Sequence, residues 1–321
     1  STSGEAIGVV TVAGDIVDGK APNGTAGGET IAKALLKGLS DKKLKALVVR
    51  VDSGGGSALA SEEIRQAILQ AKAQGLPVIV SFGGVAASGG YWVATAGDTI
   101  FAEPNTITGS IGIFGMIPTF ENSLAKIGVT SDGVKTTPLS GQPDITGGTT
   151  PQLDAILQSG IEHGYRQFLT RVATARKMTP ERVDEIGQGR VWDGGTARQL
   201  GLVDRFGTMG DALAEAAKRA GIAADGWHAV YLEKEPGWAQ KLAESWADDS
   251  DEADSGEATD VYSQIAAARR NLAVQALADM RRMMTGSAVQ ARCLECDGLV
   301  ARPVARADVK LLDLIIARLW S

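Results

Sequence analysis

Apolar positions in the first hundred residues follow two rhythms. Ile7 to Ala13, Leu44 to Val51 and Pro77 to Phe82 are short runs with the length and β-branched content of buried strands. Between them, Ile31 to Leu39 and Ala58 to Gln74 carry apolar residues at helical spacing, the second closed by Gly75. Gly14 to Gly28 reads as a loop, Asp52 to Ser57 as a glycine turn, and Gly83-Gly84 as a second turn that brings Ser88 to the mouth of an apolar helix. Asp98 to Ala102 predicts a further short strand, and Thr106 to Gly115 a small-residue turn running into another. This alternation predicts a layered α/β domain with right-handed crossovers. After a Thr/Gly/Pro-rich connection over 131–149, Thr150-Pro151 opens a long helix running to about Lys177, and Thr179-Pro180 opens a shorter one. Thr196 to Leu200 reads as a helix stopped by Gly201, Leu202 to Asp204 as a strand, Gly210 to Arg219 as a helix and 227–233 as an edge strand.

The pattern then breaks. Asp248 to Asp260 is acidic and nearly free of large apolar side chains, which predicts a solvated linker. Val261 to Met284 and Ala307 to Trp320 read as amphipathic helices on either side of a loop holding Cys293 and Cys296. The expected organisation is a domain over 1–225, an extension over 226–247, the linker over 248–260 and a helical tail over 261–321. The second tail helix has Val309, Leu312, Ile315, Ile316 and Leu319 on one face, suited to a partner surface.

Composition narrows the chemistry. A chain of 321 residues with a net charge of -6 and no basic cluster is not expected to bind nucleic acid. No run reaches the roughly 18 apolar residues that cross a bilayer. The start Ser1-Thr2-Ser3-Gly4, without methionine, predicts a processed form or a fragment of a longer chain. Neither glycine turn matches a nucleotide-binding fingerprint, and no cofactor is expected. With one lone Cys-x-x-Cys and two histidines, no metal centre is expected either.

Ser88 is the foremost candidate for chemistry. A hydroxyl at a helix N-terminus sits among unpaired backbone amides that would stabilise an oxyanion, and Gly89 and Gly90 keep its approach free of side chains. The competing reading is that Ser88 merely caps the helix. Ser110, polar within an apolar, glycine-lined segment, reads either as turned toward a site or as an ordinary turn residue. A serine triad would need His163 or His228, neither of which lies at a glycine turn. A Ser-Lys dyad would need a lysine held neutral; downstream candidates are Lys126 and Lys135, both in polar surroundings typical of exposed lysine.

Four motifs in order carry a resemblance. Arg50-Val-Asp-Ser-Gly-Gly-Gly-Ser57, Val85-Ala-Ala-Ser-Gly-Gly-Tyr-Trp92, Thr108-Gly-Ser-Ile-Gly-Ile-Phe-Gly115, and Gly189-Arg-Val-Trp192 with Gly201-Leu-Val-Asp204 together resemble the signal peptide peptidase A family, over about residues 6 to 221. More narrowly, the chain resembles the C-terminal half of the long, duplicated form. The resemblance implies a layered β-α superhelix shared with the Clp protease and crotonase superfamily. It also implies a serine peptidase that degrades released signal peptides at the bacterial inner membrane, its catalytic domain facing the periplasm. Ser88 then matches the nucleophile, Ser110 the serine that orients the lysine base, and Gly55 or Gly56 with the Gly89 amide the oxyanion hole. Gly54 stands where the family has proline. The long form draws its lysine from the N-terminal half; in the short form the lysine lies downstream of Ser110, where Lys135 falls without the surrounding motif. The expected partners are therefore peptide substrates, an N-terminal half or another protomer of a homo-oligomer supplying the lysine, and a membrane reached through an upstream anchor. A crotonase-type acyl-CoA enzyme and a noncatalytic peptide-binding or assembly half remain open as alternatives. Substrate is expected to lie extended along the strands leaving Gly56 and Ser110.

Overall fold

The computed structural model describes residues 4–233, apart from 23, 42 and 118, together with 289–292. The elements in chain order are β1 (Glu5–Ala13), β2 (Ile16–Val17), β3 (Ala26–Gly27), α1 (Gly28–Asp41), β4 (Leu44–Ser53), β5 (Gly55–Ser57), α2 (Ala58–Ala73), β6 (Val78–Ala87), α3 (Gly89–Ala94), β7 (Thr99–Ala102), β8 (Ile107–Gly109) and β9 (Phe114–Gly115). They continue with α4 (Glu121–Lys126), α5 (Pro151–Arg176), α6 (Pro180–Ile186), β10 (Val191–Asp193), α7 (Gly194–Gln199), β11 (Arg205–Phe206), α8 (Met209–Arg219), β12 (Trp227–Tyr231) and β13 (Val289–Arg292).

The main sheet runs β10-β8-β6-β4-β1-β12, with β7 beside the first half of β6 and β11 beside β7. Its central strands are parallel, and the side chains of each strand serve two cores. Val10, Val12, Leu47, Val49, Val51, Val80 and Phe82 face helices α1, α2, α3 and α5. Ile7, Val9, Ala46, Val48 and Ile79 face α8 through Ala212, Leu213 and Ala216. The expected α/β layering is therefore present, with helices on both faces of the sheet.

The caps fit the sequence. Thr150 and Thr179 accept the amides of Leu153 and Arg182 and are each followed by proline, and Lys177 closes α5 in the left-handed conformation. Three expectations are corrected. Gly83-Gly84 is no turn, because β6 continues to Ala87 through a bulge in which Val51 pairs Phe82 and Ser53 pairs Ala86. Asp52 is the reason: its Oδ1 accepts the Val85 amide at 3.1 Å, and a Cβ on Gly83 would lie 2.5 Å from its carboxyl carbon. The strand expected at Leu202 to Asp204 forms instead at Arg205–Phe206, beside β7. The glycine turn before Ser57 is itself a strand, β5, in a second sheet of order β3-β2-β5-β13-β9. The expected edge strand over 227–233 is β12, parallel to β1. The acidic linker, both tail helices, Cys293 and Cys296 lie outside the described residues.

One ion pair ties the C-terminus of α5 to the sheet. Arg176 holds Asp204 through two bonds of 2.6 and 2.9 Å, and Asp204 Oδ2 also accepts the Ile100 amide at 2.7 Å. Burial pushes the Asp204 carboxyl up, but the bonds from Arg176 and Ile100 outweigh it and hold it below its ordinary value. Its contribution to stability is thus complete above about pH 4, the unfolded value, and is lost as pH falls through the lowered folded value. Arg176→Met should cost about 2 kcal/mol at neutral pH, less than a fully buried pair because the Asp204 side chain is 34% exposed. Urea titrations should show that deficit shrinking as the pH falls below about 4.

Candidate active site

Two adjacent parallel strands deliver the two serines. Ala87 at the end of β6 pairs with Gly109 at the end of β8, and the next residue on each strand is Ser88 and Ser110. Both take positive φ, 53° at Ser88 and 48° at Ser110, where side chains are rarely tolerated. The Ser88 amide donates to the Gly109 carbonyl at 2.9 Å and the Ser110 amide to the Arg190 carbonyl at 2.7 Å, so both turns are pinned by the neighbouring strand. Ser88 is fully buried, and its Oγ has no hydrogen-bond partner among the described residues. Although it stands at the N-cap of α3, it makes no side-chain cap bond. The geometry thus removes the capping role and leaves a strained, unpaired hydroxyl at a strand-to-helix junction, the shape of a nucleophile elbow.

Glycines surround that hydroxyl because nothing larger fits. A Cβ on Gly55 would lie 3.1 Å from Ser88 Cβ and 2.7 Å from the Gly89 nitrogen, and one on Gly89 would meet Ser61 Oγ at 2.6 Å. Ser88, Gly89, Gly55 and Gly56 are therefore brought together, with Ser110 one strand away. The Gly55 amide itself donates to Ser53 Oγ at 3.1 Å, and Ser53 in turn donates to the Gly14 carbonyl at 2.6 Å. Gly89 begins a helix of six residues, so its amide has no intrahelical acceptor and the local donor matters more than any macrodipole. Ser53 and Ser61 were not singled out from sequence; Ser53 directly precedes Gly54, whereas Ser61 lies within α2 and meets Gly89 only through the fold.

The helix behind Ser88 is fixed from outside. Trp92 donates to Glu62 at 2.6 Å, Arg171 donates to the same oxygen at 2.9 Å, and the Arg171 guanidinium lies 4.8 Å from the Trp92 ring centroid. Burial raises the Glu62 carboxyl, and bonds from Arg171, Gln66 and Trp92 bring it below its ordinary value. Tyr91 is buried and donates to the Leu202 carbonyl at 2.7 Å, with burial pushing its hydroxyl well above the usual range. From Ser110 a cleft of about 480 Å³ opens along Ile113, Ile161, Tyr165 and Gln188. Tyr165 there donates to Asp184 at 2.6 Å, and burial followed by that bond pushes its hydroxyl up to about 12.

The other candidates lie apart. Lys135 sits in an exposed segment and pairs with Asp144 at 3.7 Å, and Lys126 is exposed at the end of α4. His163 is exposed on α5 against Gln167, and His228 lies on β12, at the far edge of the sheet from β8. Neither nitrogen ring nor ammonium reaches Ser88 Oγ among the described residues.

A peptide carbonyl already lies beside these glycines. Strand β13 runs antiparallel to β5, with Ala291 opposite Gly56, and the Ala291 carbonyl oxygen would be 2.2 Å from a Cβ on Gly55 and 2.9 Å from one on Gly89.

The fold and this site define an α/β protein centred on a strained serine at the end of a parallel strand. Known sequences give the class a narrower identity. The profile of Peptidase family S49 matches residues 70–223. Protease 4 of Salmonella typhi is 49% identical over 234 residues, which cover 73% of this chain and 37% of that protein. The slr0021 protein of Synechocystis sp. is 39% identical over 196 residues, 60% of this chain and 70% of that one. Serine protease SPPA, chloroplastic, of Arabidopsis thaliana is 35% identical over 223 residues, 67% of this chain and 32% of that protein. The chain belongs to peptidase family S49. It spans little more than a third of the length of Protease 4.

Proposed function

We propose that this chain is the nucleophile-bearing part of a serine endopeptidase, with Ser88 attacking a peptide carbonyl and the Gly89 amide, with Gly56, receiving the oxyanion. The observation that carries the reading is the buried, unpartnered Ser88 Oγ at a positive-φ position beside Gly55 and Gly89. An unsatisfied buried hydroxyl is destabilising on its own, and a neutral lysine amine would relieve it. That lysine comes from a homologous N-terminal domain or another protomer, entering beside Ser110, whose hydroxyl orients it. Exposed Ile127, Val129, Val134 and Ile156 around α4 and α5 favour assembly with such a partner. The substrates are signal peptides left after secretion, met at the bacterial inner membrane on its periplasmic side.

Complementation tests the reading. The chain mixed with the lysine-bearing domain of a Protease 4 relative should cleave apolar peptides, and neither component should do so alone. Lys135→Ala should leave turnover unchanged, because its only described bond is the exposed pair with Asp144. Loss of activity in that variant would return the base to this chain; absence of cleavage in the mixture, with both components folded and associated, would overturn the proposal.

A further inference from the structure

The turn that grips Ser110 is itself held by a side chain from α5. Residues 187 to 190 form a β-turn closed by the Arg190 amide, which donates to the Gly187 carbonyl at 3.1 Å. Its central residues Gln188 and Gly189 both have positive φ, 59° and 74°, the φ signs of a type I′ turn, which glutamine does not favour. The Gly189 amide donates to the Ile111 carbonyl at 2.9 Å and the Arg190 carbonyl accepts the Ser110 amide at 2.7 Å, so the turn grips both ends of the Ser110-Ile111 pair. The Gln188 amide is left over by the turn itself, and the Tyr165 hydroxyl accepts it at 3.0 Å. The same hydroxyl donates to Asp184 of α6 at 2.6 Å. Gly187 keeps room for it, because a Cβ there would lie 3.3 Å from the hydroxyl oxygen and 2.8 Å from the Val183 carbonyl oxygen. Ser110 makes no side-chain hydrogen bond among the described residues, so its backbone alone aims its hydroxyl.

We infer that Tyr165 is a positioning residue for peptide cleavage: by holding the 187–190 turn in its left-handed form, it keeps Ser110 at φ 48° on the wall of the cleft, where the Ser110 hydroxyl meets the base. This rests on the peptidase reading, in which Ser110 orients a lysine, and adds to it a residue whose own hydroxyl is committed to Asp184 and Gln188. The chain of effect is short. Without its acceptor the Gln188 amide is unpaired, and nothing on that side keeps a glutamine at positive φ. Once residue 188 relaxes, Gly189 and Arg190 move with it, and Ser110 loses the bond that holds its own positive φ. Tyrosine suits the position because one hydroxyl both donates and accepts. Burial, followed by the Asp184 bond, pushes that hydroxyl up to about 12, so it remains a donor to Asp184 at every pH below that. Phenylalanine offers the same ring and neither bond.

The test is a set of variants of the full chain in the complemented enzyme. Tyr165→Phe should lower kcat about ten- to hundred-fold with KM within about two-fold, because the base is misplaced while the peptide is held as before. Ser110→Ala combined with Tyr165→Phe should be no slower than Ser110→Ala alone, since the tyrosine acts through that serine. Gln188→Gly in the Tyr165→Phe background should recover most of the lost turnover, because glycine takes positive φ without an outside hold; the only described side-chain bond it gives up is the exposed one from Arg190 at 3.0 Å. General structural damage would be neither masked by Ser110→Ala nor repaired by a glycine. In the chain by itself, the Ser110 and Gly189 amides should exchange hydrogen about ten-fold faster in Tyr165→Phe than in the unaltered protein. Multiplied losses in the double variant, a raised KM at constant kcat, or unchanged exchange at those two amides would overturn the inference. Faster exchange, together with an unaltered complemented enzyme that fails to cleave, would uphold the hold on Ser110 and count against the peptidase reading alone.

Discussion

Ser88→Ala abolishes peptide cleavage by the complemented enzyme and leaves the fold at least as stable as before: that pair of results is expected together. Loss of a catalytic serine costs about 10⁴- to 10⁶-fold in turnover where nucleophile and base act as a unit. Stability moves the other way because of what Ser88 lacks. Its Oγ is buried without a partner among the described residues, so removing it deletes a desolvated hydroxyl and no described bond, a change worth about 1 kcal/mol in favour of the folded state. Ser88→Gly should gain roughly 1 kcal/mol more by relaxing φ 53°, ψ -114°. Peptide turnover and thermal melts on the same preparations check both halves. Cleavage persisting in Ser88→Ala would remove Ser88 from the chemistry; a lower melting temperature for Ser88→Gly would mean that the turn is not strained. The opposition between activity and stability is what distinguishes a site from a packed core, where truncation lowers stability.

Much of this was legible in the residues. Ile7 to Ala13 and Leu44 to Val51 announced buried parallel strands because both faces of the sheet are covered, and Thr-Pro pairs announced the starts of α5 and α6. Ser88 stood out because a strand, a serine and two glycines in sequence leave few other structures. The bulge at Gly83-Gly84 was not legible, since the pair reads as a turn until Asp52, on a different strand, is seen filling the space a side chain would need. Strand β13 was hidden for a stronger reason. Residues 289 to 292 carry little strand signal of their own, and their conformation comes from two edges more than 170 residues earlier in the sequence. The strain at Ser110 was likewise invisible, because its positive φ is imposed by the bond from its amide to Arg190 across the sheet. Local pattern specified the scaffold, whereas long-range pairing specified the backbone around Ser88.

That dependence makes Gly56 the most sensitive backbone position in the site. Gly56 has φ 151° and lies between two strands, opposite Ile16 of β2 and Ala291 of β13. A Cβ there would stand 2.0 Å from the Ile16 carbonyl oxygen and 2.9 Å from its carbonyl carbon. Those are backbone atoms, and no side-chain rotation relieves them. Gly56→Ala should therefore cost about 3 kcal/mol or more, a large part of the roughly 5–15 kcal/mol that holds a domain together. Gly75→Ala is the matched control. Gly75 also has positive φ, +83°, but nothing lies within 4 Å of its Cβ position, so only conformational strain of about 1–2 kcal/mol is added. Urea denaturation of the two variants separates collision from strain. A Gly56→Ala midpoint well below that of Gly75→Ala is expected, along with loss of peptide cleavage in the complemented enzyme, because relief of the clash must move β5 away from β2 and carry Gly55 with it. Equal midpoints would show that β2 and β5 can part freely, and the surroundings of Ser88 would then owe their shape to Gly89 and the Ser53 bridge rather than to the second sheet.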